Sequence, residues 1–307
     1  MKKFLLQYSV IIVFLIIFIL GYYSGISFED LFTNLKKLNL WQIIVIVVWF
    51  FVIASLSIIG KKIILNFLGY PIGFKNIILI HFTSISAHYS TPAKIGFPVT
   101  IYLLKKLEDV PIAVSTATIG VELFVSVLIT GMIGLVGSLL YFSDRLQSFS
   151  NGLFVVLLAI LIMTLAVYLL YKKSDKVRVF FSDLKESIKL LSLRKIIIYL
   201  IIQIAVQASI TVHIILITHF LGSEINFWFA MVANSSAFII GAVSMVPMGL
   251  GTRDLSMVFY LSSFGVPSEI AILVTAVQRI ISTGLGYLIG LLTSAIIGIN
   301  TIKSMKD

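Results

Sequence analysis

The chain has 307 residues, 59% of them hydrophobic and 12% charged, a balance far from that of soluble domains and fitting a polytopic membrane protein. Its longest stretch of ordinary composition runs only from about Lys172 to Lys195, which leaves no room for a Rossmann unit, a P-loop or a His-Glu-x-x-His metalloprotease, and the absence of cysteine excludes thiolate nucleophiles, disulfides and cysteine zinc sites. The net charge of +10 comes from residues that flank apolar runs, so it reads as membrane topology and not as a nucleic-acid surface.

In chain order, Lys2 and Lys3 precede an apolar run over 4–23 with no Ala-x-Ala cleavage pattern, which predicts an uncleaved first helix. A second long helix is predicted over 41–60. Residues 76–106 are apolar but interrupted at Ser90-Thr91-Pro92 and Gly96-Phe97-Pro98, leaving pieces of about 13 to 20 residues, short for an untilted crossing of about 30 Å of hydrocarbon. Long helices follow over 112–141 and 152–171. Within the basic segment 172–195, Val177, Phe180, Phe181, Leu184, Ile188 and Leu191 keep helical spacing, which fits either a helix lying on anionic headgroups or a solvated linker. A helix over 196–219 leads into a second interrupted stretch, 227–264, broken by Pro247, Gly249 and Gly251, and the last long helix covers 268–298.

The two interrupted stretches are copies. Phe67-Leu68-Gly69, Pro92 to Gly96, Val110-Pro111 and Glu122 recur as Phe220-Leu221-Gly222, Pro247 to Gly251, Val266-Pro267 and Gln278. The predicted fold is therefore all-α: a polytopic integral membrane protein with six long transmembrane helices and two broken or re-entrant helix pairs in an inverted repeat. The whole chain forms one membrane domain, with N-terminal helices over 1–60, repeat 1 over 67–141, connecting helices over 142–219 and repeat 2 over 220–298.

Lysine and arginine positions orient this arrangement. With the N-terminus in the cytoplasm, Lys2, Lys3, Lys61, Lys62, Lys75, Lys105, Lys106, the basic residues of 172–195, Lys303 and Lys306 fall inside, and Lys36, Lys37 and Arg145 fall outside. Both termini are expected in the cytoplasm of a cell membrane protein. Three crossings separate the interrupted stretches, so the first enters from the cytoplasm and the second from outside.

Lys94, Glu122, Arg253, Asp254 and Arg279 all fall within hydrophobic territory, where a charge normally faces a cavity or a partner. Glu122 and Arg279 each lie about 16 to 18 Å into their helices. An ion pair between them is expected, either at the site or as a lock between two helices, with Asp254 as another partner for Arg279 or Arg253. After Pro92–Gly96 and Pro247–Gly251 new half-helices begin, and their free N–H groups, joined by Lys94 and Arg253, make two electropositive pockets suited to phosphate. The alternative is that Pro92, Gly96, Pro247, Gly249 and Gly251 serve only turn geometry and packing.

His81, Ser84, His88 and Thr91 form a polar stripe predicted to line a hydrated cavity. No nearby acid completes a metal site around His81 and His88, so no metal is expected; they face substrate or carry protons. Asn234, Ser235, Ser236 and Ser244 occupy the matching stretch of the second copy. His213 and His219 read as packing or interfacial residues, and Gly284, Gly286 and Gly290 as helix-packing positions.

These residues carry a resemblance. The run Pro247-Met248-Gly249-Leu250-Gly251-Thr252-Arg253-Asp254, with Phe264-Gly265-Val266-Pro267 and Arg279, resembles the C-terminal signature of the lysylphosphatidylglycerol synthase transmembrane family, also known as UPF0104 membrane proteins. Pro92-Ala93-Lys94-Ile95-Gly96, Val110-Pro111 and Glu122 are similar to its earlier element, with Ala93, Lys94, Phe97 and Asp254 departing from the usual residues. The resemblance covers about Trp41 to Ile299 and implies a lipid translocator like the flippase half of the bacterial multiple peptide resistance factor, without an aminoacyltransferase domain.

The expected function is thus a lipid flippase or scramblase that moves a phosphate-bearing headgroup between leaflets, and not an enzyme; no cofactor is expected. Its partners would be membrane lipids, an anionic phospholipid or a polyprenyl-phosphate-linked lipid, with no nucleic acid and room for a homo-oligomer. The alternatives are an ion-coupled transporter of a small solute, an intramembrane enzyme of lipid metabolism, or a non-catalytic membrane partner of a lipid-modifying synthase or glycosyltransferase.

Overall fold

A computed structural model describes residues 38–90, 96–141, 191–244 and 249–304, together with the single positions 33, 36, 185 and 189. The helices expected over 4–23 and 152–171, and most of the basic segment 172–195, lie outside the described residues. Helix α1 (Leu40–Phe67) opens on Asn39, whose Oδ1 accepts from the Gln42 amide while Gln42 Oε1 accepts from the Asn39 amide, each at 2.9 Å. This capping box satisfies two donors that a helix start otherwise leaves open. The helix ends where Gly69 turns to a φ of 90° and the Tyr70 amide reaches back to the Leu65 carbonyl at 2.9 Å.

Helix α5 (Leu193–Phe220) ends the same way, with Gly222 at φ 85° and the Ser223 amide on the Thr218 carbonyl at 3.1 Å. Each of these two helices is followed by a shorter pair and a long helix. The first set is α2 (Phe74–Ser90), α3 (Gly96–Glu108) and α4 (Ile112–Tyr141). The second is α6 (Phe227–Val243), α7 (Thr252–Ser263) and α8. Helix α8 runs over Ser268–Gln278, loosens into a π-helical segment at Arg279–Leu285 and returns to α geometry over Gly286–Ser304.

The described residues are thus all-helical, in eight helices, and α1, α4, α5 and α8 as far as Gly298 are long and apolar enough to cross a membrane. The expected 41–60 helix needs correction at its C-terminal end, because α1 continues through Lys61 and Lys62 to Phe67. A hydropathy profile stops at two lysines, but here both are accommodated within the bundle. Lys61 pairs with Glu122, while Lys62 donates to the Ile72 carbonyl and sits 4.6 Å above the Phe74 ring.

Side-chain contacts place the helix ends. Asn76 donates to Glu108 at 2.5 Å, so α3 ends beside the start of α2, and Lys195 donates to the Phe67 carbonyl at 2.8 Å, bringing the start of α5 to the end of α1. At the opposite end Phe229 stacks on Phe264 at 4.7 Å and Tyr141 meets Phe264 edge-on at 4.6 Å, so α6 begins where α7 and α4 end. The first of these ends gathers Lys62, Lys75, Lys105, Lys106, Arg194 and Lys195 with Glu108 and Asp109; the second carries Glu224 and Glu269.

Two apolar cores hold the helices. Ile64, Leu65, Ile77, Ile80 and Leu104 centre one, and Ile214, Ile217, Ala230, Leu261 and Val274 the other. The short helices cross between the sets: α2 packs along the C-terminal part of α8, and α6 along α4. Glycine makes both approaches possible. A Cβ on Gly290 would lie 2.3 Å from the Phe82 carbonyl oxygen, and one on Gly134 would lie 3.1 Å from the Ser236 nitrogen. Helices α1 and α5 cross antiparallel, with Trp49 donating to the Ser209 carbonyl at 2.8 Å and Gly60 against Tyr199 and Gln203. Outward faces are apolar, as at Phe51, Phe124, Met132, Ile201, Phe259 and Leu292.

Candidate functional site

Where α1 and α5 cross, they do not fill the space between them, and a cavity of about 280 Å³ remains, walled also by α2, α4, α6, α7 and α8. Its lining comes in matched positions from the two helix sets. Phe50 and Gln203, Ile53 and Val206, and Ala54 and Gln207 occupy equal distances ahead of Gly69 and Gly222; His81 and Asn234 lie equally far beyond them. Ser126 and Ser282 stand equally far beyond Pro111 and Pro267.

The two long walls differ in chemistry. The α1 wall offers Phe50, Ile53, Ala54 and one hydroxyl, Ser57, whereas α5 offers Gln203, Gln207 and His213 beside Val206 and Ile210. Gln207 donates to Ser235 at 2.9 Å and Gln203 to the Tyr199 hydroxyl at 2.6 Å, which orients both amides. His213 is fully buried and neither ring nitrogen has a hydrogen-bond partner; the Ile46 carbonyl lies beside it outside hydrogen-bond geometry. A buried polar group in this state is expensive, and the Ile46 carbonyl beside it offsets part of the cost.

Arg253 enters the lining from the first turn of α7. Two glycines give its stem room: a Cβ at Gly241 would lie 2.7 Å from the Arg253 Cβ, and one at Gly249, whose φ is 63°, would lie 3.0 Å from it. Gly251 takes a φ of 78° just before α7 begins. Asp254, the next residue after Arg253, turns away. Its Oδ2 accepts from the Gly251 amide at 3.1 Å, and Arg279 holds both oxygens, Nε on Oδ1 at 2.6 Å and Nη2 on Oδ2 at 3.2 Å.

The expected Glu122–Arg279 pair does not form. Glu122 Oε2 instead accepts from Lys61 Nζ at 3.0 Å, in a partly buried contact between α4 and α1. Counting turns along a helix fixes depth but not the direction a side chain faces, and two charges at equal depth can point to different neighbours. Asp254 as the partner of Arg279, the alternative arrangement, is the one present.

The polar stripe on α2 divides. His81 lines the cavity. His88 packs edge-on against Phe97 at 5.2 Å, and it flanks Gly96, where a Cβ would come within 2.7 Å of both the His88 Cβ and the Ser84 carbonyl. Lys94, Pro92 and Pro247 lie outside the described residues, as does Thr91. Sequence reasoning read His213 as a packing or interfacial residue and passed over Gln203 and Gln207, although two glutamines four residues apart in a long apolar helix share one face and were a legible sign.

The described lining thus combines one guanidinium, two imidazoles, amides and hydroxyls, with no carboxylate. Such a set attracts an anion and hydrogen-bonds its neutral parts. In comparisons with known proteins, the family described as "Lysylphosphatidylglycerol synthase TM region" matches residues 6–290. A similar protein is UPF0104 membrane protein MJ1595 of Methanocaldococcus jannaschii, 23% identical over an alignment that covers 97% of each chain.

Proposed function

The chain belongs to the lysylphosphatidylglycerol synthase TM region family, and from that premise we propose that it translocates a phosphate-bearing lipid headgroup between membrane leaflets. The observation that carries this reading is the cavity at the α1–α5 crossing, lined by Arg253 and by no carboxylate among the described residues. Its volume of about 280 Å³ suits a headgroup and not acyl chains, which would stay in the hydrocarbon while the polar part crosses.

We read the two helix sets as an inverted repeat around this cavity. Support comes from the antiparallel α1–α5 crossing, the reciprocal packing of α2 on α8 and α6 on α4, and the short helix pairs that begin and end at opposite ends of the bundle. The pairs α2–α3 and α6–α7 would then be re-entrant hairpins. We place the end bearing Lys62, Lys75, Lys105, Lys106 and Lys195 in the cytoplasm of a plasma membrane protein, in line with the positive-inside rule. Lys94, which precedes α3, would add a second cation to the path.

In proteoliposomes carrying a headgroup-labelled anionic phospholipid, dithionite added outside should bleach more than the outer-leaflet fraction with the wild-type protein. Arg253→Ala should return bleaching to the level of empty liposomes. Bleaching equal to empty liposomes for the wild type, across anionic and zwitterionic lipids, would sink unassisted translocation.

A further inference from the structure

On its basic side the cavity meets a layer of polar side chains. Ser57 of α1, Ser126 of α4 and Gln203 of α5 line the cavity, and each has a polar neighbour four residues nearer the basic end: Lys61, Glu122 and Tyr199. One helical turn separates the members of each pair, so all three neighbours share the faces that border the cavity. Lys61 Nζ donates to Glu122 Oε2 at 3.0 Å, and the Tyr199 hydroxyl accepts from Gln203 at 2.6 Å and lies close enough to Glu122 to feel its charge. A Cβ on Gly60 would stand 3.6 Å from both Tyr199 and Gln203, and His81 in the lining feels the charge of Lys61.

Two observations separate this layer from ordinary packing. Helix α1 packs closely along α5 but sparsely on α4, so the bridge spans a thin seam and not a filled interface. The matched positions of the second set hold no such pair: Ile214, fully buried in an apolar core, corresponds to Lys61, and Gln278 to Glu122. Charges that part into an opening path regain hydration, which interlocked apolar side chains do not.

We infer that the Lys61–Glu122 bridge is a gate: joined, it closes the cavity toward the basic end, and parting of the two side chains opens that side alone. Tyr199 and Gln203 complete the closed layer. This inference rests on the reading of the cavity as a passage, whatever crosses it.

The chain contains no cysteine, so one introduced thiol reports on the cavity without background. Ser282→Cys places it in the lining, on a helix that carries neither partner of the bridge. Lys105→Cys and Glu269→Cys, exposed at the basic and the opposite end, identify which side a membrane-impermeant anionic thiosulfonate reaches in sealed vesicles. Adding Glu122→Gln to Ser282→Cys should speed labelling from the basic side at least about tenfold, as expected for a partly buried ion pair broken from one side. Labelling from the other side should not rise. Exchange of the charges, Lys61→Glu with Glu122→Lys, should bring the rate back toward that of the intact bridge. If Glu122→Gln is not recovered folded, Glu122→Asp keeps both charges, shortens one arm by a methylene and should raise the rate from the same side by a smaller factor.

Labelling that is no faster from the basic side overturns the inference. So does an equal rise from both sides, which marks a loosened bundle, and so does an exchange variant as reactive as Glu122→Gln. The dithionite assay on the same proteins keeps the two readings apart: one-sided opening without lipid flux supports the gate and removes lipid translocation, and flux with unchanged labelling removes the gate alone.

Discussion

Arg279 grips Asp254 through both carboxylate oxygens, and the same carboxylate caps the Gly251 amide where α7 begins. The contact ties three things together: the positive-φ loop, the first turn of α7 and the opening of the π segment in α8. Its position immediately beside Arg253 means that the residue facing the cavity is anchored by a neighbour that does not face it.

Breaking this contact from one side should be severe. Arg279→Met leaves a buried carboxylate with one amide donor, a change that costs about 3 to 5 kcal/mol in comparable buried pairs. The melting temperature in detergent should fall sharply, and the double variant Asp254→Asn with Arg279→Met should recover part of the loss. Equal melting of Arg279→Met and wild type would show that the pair does not hold α7.

The Lys61–Glu122 bridge is partly buried, with side chains 12% and 20% accessible, and removing one partner leaves the other charge without its counterpart. Glu122→Gln places in the first set the residue that Gln278 supplies in the second. It should lower stability by less than the about 3 to 5 kcal/mol of a fully buried pair broken from one side, and the exchange of both charges, Lys61→Glu with Glu122→Lys, should melt closer to wild type than either single reversal. Thermal unfolding at low and high salt reads both effects.

Glycine substitutions at the two crossings should differ in size. Gly290→Ala drives a methyl group into the Phe82 carbonyl and Ser86, and should cost about 2 to 3 kcal/mol. Gly134→Ala meets backbone atoms at 3.1 to 3.2 Å and needs only a small separation of α4 from α6. A larger melting loss for Gly134→Ala than for Gly290→Ala would contradict the packing described.

Gly241→Ala tests Arg253 without touching it. The added methyl competes with the arginine stem, so flux should drop at least about tenfold, a change of about 1.4 kcal/mol in effective barrier. The protein should still be recovered folded from detergent, with a melting temperature nearer wild type than that of Arg279→Met. Full flux in Gly241→Ala would mean that the guanidinium position is not critical.

The fold was legible where a hydropathy edge coincides with a backbone event. The helix expected over 112–141 is present over those residues because Pro111 fixes its start, and the interruptions at Gly96 and at Gly249 and Gly251 mark true helix ends. The C-terminal end of α1 was hidden because Lys61 has a partner on another helix, which no local pattern records. The site was legible in its glycines and in Arg253 and His81. It was not legible on α5, where Gln203 and Gln207 turn one polar face to the space that the α1 wall leaves. The pairing of Glu122 failed for want of azimuth: depth along two helices was available, and the direction each side chain faces was not.

The unlike walls of the cavity bear on direction. On the proposed symmetry, a rocking motion that opens the cavity toward the basic end has a twin that opens it toward the other, and the two openings would be equal in energy if matched positions held identical residues. They do not: Gln203 corresponds to Phe50, Gln207 to Ala54, and His213 to Gly60. The resting bias between leaflets is then encoded by a few side chains on one helix. A protein in which the two walls were exchanged would prefer to wait open toward the opposite leaflet.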